Sequence, residues 1–103
     1  LEDTSIEISF RFWHVMQDDQ RGFYKVEYTE AETGIARRMA STHFEPIGAR
    51  RFFVCLDEPA ARADLQMNVL VADPDLTVLS NGKLLSTTPT PRDGITWIQH
   101  SFE

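Results

Sequence analysis

The sequence predicts an all-β fold, an antiparallel β-sandwich or saddle of about seven short strands with little helix. Three observations carry this. Apolar and polar residues alternate in several runs of strand length, most clearly over residues 6–12. Clusters of Asp, Asn, Gly, Pro and Thr separate those runs at short intervals. A helical pattern is absent, and the single helical candidate is a turn around residues 59–64. A chain of 103 residues, 42% hydrophobic and 25% charged, has the composition of one ordinary globular domain.

In chain order, Ile6, Ile8, Phe10 and Phe12 alternate with Ser5, Glu7, Ser9 and Arg11, which predicts a first strand. Residues 13–20 read as a connection, and residues 17–22 supply its polar, turn-forming part. Residues 23–28 form the next strand, with Tyr24, Val26 and Tyr28 on one face and Lys25 and Glu27 on the other. Residues 29–34 are a polar turn ending in Gly, and residues 35–44 return as the antiparallel partner, with Arg37-Arg38 interrupting the alternation. Residues 64–72 alternate again, placing Leu65, Met67, Val69 and Val71 on one face. Asp73-Pro74-Asp75 is a turn, and residues 76–80 read as a short strand. Asn81-Gly82 has the chemistry of a two-residue hairpin turn into Lys83-Leu84-Leu85. Residues 86–94, with two Pro, three Thr and a Gly, read as loop. Residues 95–102 form the last strand, with Trp97 expected to be buried.

One stretch does not alternate. Residues 43–60 bring together carboxylates, an Arg pair, phenylalanines and prolines. Such a segment reads as a structured loop on a rigid scaffold, where binding residues concentrate. Asp57-Glu58-Pro59 is either a solvated turn or one half of an Arg–carboxylate pair with Arg50 or Arg51, and the pair accounts better for the Arg residues upstream. Glu45 has no cation beside it in sequence. It is either a surface residue at a strand end or a carboxylate aimed into a cleft.

Several chemistries are excluded. The net charge of −6 argues against a nucleic-acid backbone or an anionic membrane as partner. Cys55 stands alone, so it forms no internal disulfide, and between Val54 and Leu56 it reads as a small hydrophobe. His14, His43 and His100 lack a second His or Cys at metal-ligand spacing, so no local metal site is expected. A phosphate-binding Gly loop and a nucleophile elbow are both missing.

The run Thr42-His43-Phe44-Glu45-Pro46, Ala49-Arg50-Arg51 and Cys55-Leu56-Asp57-Glu58-Pro59-Ala60 resembles the N-terminal domain of the aminopeptidase N family of zinc metallopeptidases. The usual form there is Thr-Gln-Phe-Glu-Pro, Ala-Arg-Arg and Cys-x-Asp-Glu-Pro-Ala. Gly22-Phe23-Tyr24-Lys25 with Tyr28-Thr29, the run Leu76-Thr77-Val78-Leu79-Ser80-Asn81, and Trp97 with Phe102 agree with the flanking elements. The resemblance covers nearly the whole chain.

It implies a β-sandwich saddle, residues 1–103, cut from the N-terminal part of a larger metallopeptidase that removes N-terminal amino acids from peptides. By position, Glu45 would bind the free α-amino group of the peptide substrate, and a carboxylate–ammonium pair is the chemistry that counts a peptide from its N-terminus. His43 stands where the family has the Gln that lines the pocket for the first side chain, so specificity inferred from Gln does not transfer. Cys55, Asp57 and Glu58 would be structural. The zinc, its ligands and the catalytic Glu would belong to a thermolysin-like catalytic domain of the same parent chain, and a zinc-activated water needs those ligands. These residues alone are therefore expected to be inert. Their face toward the catalytic domain, left bare, would drive self-association. The alternatives are a noncatalytic β-sandwich scaffold that kept the saddle, favoured by His43, and an unrelated carbohydrate-binding or adhesion module using exposed aromatics such as Trp13.

Overall fold

In the computed structural model, which describes residues 4–103, the elements run β1 (Gly22–Thr29), β2 (Ala36–His43), a 3-10 turn (Ala49–Arg51), β3 (Met67–Val71), β4 (Leu84–Arg92) and β5 (Ile95–Phe102). The fold is all-β, as the sequence predicts. Its strands form two antiparallel sheets, β1-β2 and β3-β5-β4. The chain divides into two compact units, Leu1–Ala61 and Arg62–Glu103.

In the first unit, β1 and β2 pair without a slip from Gly22↔His43 to Thr29↔Ala36. The Arg pair that interrupts the alternation of β2 has partners. Arg38 lies opposite Glu27 in register and meets it at 3.3 Å, and Arg37 reaches Glu30 at 3.3 Å. The connecting turn is closed by Glu30 N–H to the Ile35 carbonyl at 2.9 Å and by Gly34 N–H to the Glu30 carbonyl at 2.8 Å. Ahead of β1, Gln17 bridges to Tyr24, and the Lys25 N–H donates to the Gln17 carbonyl at 2.9 Å. Packing here is aromatic. Phe23, Phe44, Phe52 and Phe53 are half-buried with ring centroids 5.0–5.9 Å apart, and His14 meets the Phe23 ring edge-on at 6.2 Å.

In the second unit, β5 is central and is flanked by β3 and β4. Central placement explains its burial, which is deepest at Ser101 and Phe102, the latter 2% exposed. β4 and β5 are joined by Asp93-Gly94, with φ of +51° and +76°. Two successive positive φ values make the mirror-image turn whose twist matches the flanking strands.

The strand count is five among the described residues, against about seven expected from turn spacing. Residues 6–12 alternate like a strand but pair with no described residue, and Ile6, Ile8, Phe10 and Phe12 are all exposed. Periodicity marks which residues could face a core, whereas a strand also needs a neighbouring backbone to bond with. Residues 76–80 likewise stay outside the ladders, with Leu79 exposed. Asn81-Gly82 is a bend without positive φ, so the tight hairpin turn falls at Asp93-Gly94 instead. Residues 86–92, read as loop for their prolines, belong to β4. β4 lies at a sheet edge, and Pro89 and Pro91 are two residues apart, so both missing N–H groups fall on the same, outward side. Thr87, Thr88 and Thr90 suit an extended strand. Trp97 is half-buried, not fully buried.

Candidate functional site

The candidate site grows from the end of β2. His43 is its last residue, paired with Gly22, and its side chain is exposed. Phe44 follows and turns inward, its ring stacked on Phe52 at 5.6 Å and 25° and meeting Phe53 edge-on at 5.9 Å. Glu45 comes next, exposed, with a cis peptide bond to Pro46. Among the described residues its carboxylate makes no ion pair and no side-chain hydrogen bond. The chain then folds back, and the Gly48 N–H donates to the Phe44 carbonyl.

Gly48 is required for that return. A Cβ there would lie 2.5 Å from the His43 carbonyl oxygen and 2.8 Å from the Phe44 Cα, both backbone atoms. Gly48 also caps the 3-10 turn, with Arg51 N–H donating to its carbonyl at 3.0 Å. Residues 45–47 are therefore a short exposed arc between two fixed points, Phe44 and Gly48.

The two arginines of the turn go to different carboxylates. Arg50 meets Asp57 at 3.0 Å through Nε and at 3.2 Å through its backbone N–H, and its Nη2 donates to the Asp57 carbonyl at 3.3 Å. The Asp57 side chain is only 15% exposed; the Arg–carboxylate pair forms as expected, but it closes residues 50–57 on themselves and does not tie the loop to a sheet. Arg51 reaches away to Asp19, at 2.9 Å. The guanidinium hydrogen bonds hold both carboxyls below their ordinary range, Arg50 acting on Asp57 and Arg51 on Asp19. Glu58 is exposed, and Cys55 is a half-buried free thiol.

Chemically, Glu45 is an exposed carboxylate with no ion pair among the described residues, as is Glu58, whereas Asp57 and Asp19 are each paired with an arginine. Such a group can accept hydrogen bonds from an ammonium. It does not suit a metal ion: no three of the described His, Cys, Asp and Glu residues converge. Sequence reasoning named His43 and Glu45 as candidates and expected Asp57-Glu58 to pair with Arg50 or Arg51; the pair forms between Arg50 and Asp57. It missed Asp19, because Arg51 and Asp19 are 32 residues apart and no local spacing links them. It also missed the ring cluster, for which the signal was present in Phe44, Phe52 and Phe53 flanking the same loop.

Over 94 residues, 90% of its length, this chain is 35% identical to human aminopeptidase N. It is 42% identical to the mitochondrial aminopeptidase 2 of Saccharomyces cerevisiae over 74 residues, 72% of this chain. It is 36% identical to the puromycin-sensitive aminopeptidase of Caenorhabditis elegans over 90 residues, 87% of this chain. The aligned segment is only 8% or 9% of the length of each relative. No solved structure matches. Residues 1–103 in full match the family described as the Peptidase M1 N-terminal domain, and the chain belongs to that family.

Proposed function

We propose that residues 1–103 form one β-sandwich domain of a zinc aminopeptidase and supply Glu45 as the carboxylate that anchors the α-ammonium of a peptide substrate. Family membership supports the setting, and relatives over most of this chain are named aminopeptidases. The observation that carries the role is the contrast among carboxylates. Asp57 and Asp19 are each paired with an arginine, whereas Glu45 and Glu58 are exposed and unpaired among the described residues, and of these two Glu45 lies on the arc fixed at Phe44 and Gly48. An ammonium is the complementary partner for such a group. His43, exposed two residues before it, would line the pocket for the first side chain.

In this reading the zinc is held elsewhere in the parent protein, by a thermolysin-like catalytic domain, and hydrolysis takes place there. That domain would also cover apolar side chains exposed in this chain, such as Trp13 and Leu56. The isolated chain would use the same surface to self-associate.

The test is Glu45→Gln in the full-length protein, assayed with aminoacyl p-nitroanilides that carry a free amino group. Loss of a charge-assisted hydrogen bond should raise KM about tenfold or more. An unchanged KM would remove Glu45 from the site.

A further inference from the structure

We propose that the Asp19–Arg51 ion pair is a positioning clamp for Glu45, an inference that rests on the amine-anchor reading above. The two residues close a ring of contacts around the site. Asp19 lies in the turn that leads into Gly22, the first residue of β1. Gly22, at φ +66°, is paired with His43 and lies against Arg51, so that a Cβ on it would fall 2.7 Å from the Arg51 Cβ. His43 leads to Phe44, whose carbonyl accepts the Gly48 N–H, and Gly48 in turn accepts the Arg51 N–H at 3.0 Å. Arg51 Nη1 then returns to Asp19 Oδ2 at 2.9 Å.

Every other link in this ring is backbone hydrogen bonding, strand pairing or close packing. The ion pair is the link made by side chains alone, and it joins segments 32 residues apart. Glu45 rides on the exposed arc between Phe44 and Gly48, whose two ends belong to the ring. Without the clamp, the 3-10 turn keeps its internal bonds and its packing against Gly22 and Phe23 but loses its charged tie to the turn ahead of β1. The arc then samples a wider range of positions, and the substrate ammonium meets a less fixed carboxylate.

The prediction is specific to substrate capture. Both partners are partly exposed, 43% for Arg51 and 44% for Asp19, so the pair is a modest interaction that salt screens. In the full-length protein at low salt, Arg51→Ala and Asp19→Ala should each raise KM for aminoacyl p-nitroanilides about three- to fivefold and leave kcat nearly unchanged. The exchanged pair, Asp19→Arg with Arg51→Asp, should recover most of the loss.

The decisive comparison is a double-mutant cycle with Glu45→Gln. If the clamp acts through Glu45, Arg51→Ala has no further effect on KM once Glu45 is Gln. An equal penalty in both backgrounds makes Arg51 a general structural residue and overturns the clamp. An unchanged KM in Arg51→Ala, with KM raised in Glu45→Gln, overturns the clamp and leaves the anchor standing. An unchanged KM in Glu45→Gln itself removes the anchor, and the clamp with it.

Discussion

Arg50 grips Asp57 at three points. Its Nε and its backbone N–H both donate to Asp57 Oδ2, at 3.0 and 3.2 Å, while Nη2 donates to the Asp57 carbonyl at 3.3 Å. One side chain thus binds both the carboxylate and the main chain of its partner. The loop from 50 to 57 is closed by this contact, which holds a segment whose regular structure ends with the 3-10 turn at Arg51.

The grip makes stability depend on pH in a defined direction. The Arg50 hydrogen bond lowers the Asp57 carboxyl from its ordinary value of 3.8. A carboxylate lowered on folding stabilises the fold above its unfolded value, and that contribution is lost as pH falls through the folded one. Asp19, lowered by Arg51, acts in the same sense, as does Glu30, lowered by Thr33 and Arg37 from 4.5. Thermal melts should give a midpoint that is steady near neutrality and falls below about pH 4. Asp57→Asn should melt lower at pH 7 and lose less on acidification. An acid-induced fall equal to that of the wild type would show that Asp57 is not a source of it.

Gly48→Ala should destabilise the chain by about 1–3 kcal/mol, a cost typical of forcing atoms into filled space. The Gly48 backbone, at φ −85° and ψ −20°, suits any residue. The obstacle is the His43 carbonyl and the Phe44 Cα, neither of which is a flexible side-chain tip. Urea unfolding measures the loss. In the full-length protein the same change should raise KM through displacement of Glu45.

Gly94→Ala reverses that logic. A Cβ on Gly94 meets nothing within 4 Å, but the residue sits at φ +76°. The expected cost is about 1–2 kcal/mol for placing an L side chain in left-handed backbone. Urea unfolding should show the loss, and Gly94→Asn, which tolerates that region better, should lie between Ala and wild type.

The hairpin β1-β2 was legible because its alternation, its polar turn and its return strand are contiguous in the chain. β5 was legible for the same reason. Two of the readings that changed concern tertiary context. Residues 6–12 have a strand's pattern without a ladder partner, whereas Pro89 and Pro91 look like loop residues until β4 is seen to lie at an edge. Within the candidate site, an Arg–Asp pair was readable because Arg50 and Asp57 share one loop. The Arg51–Asp19 pair was not, since a contact over 32 residues exists only once β1 has brought its own entrance beside the 3-10 turn.

The prolines of β4 also give the second sheet a direction. A strand laid against the outer side of β4 would find no donors at Pro89 and Pro91, two successive positions where a ladder needs them. Those two positions make that border a poorer template for a further strand. Growth of this sheet, by a partner strand or by misassembly between copies, is steered to the far side, alongside β3.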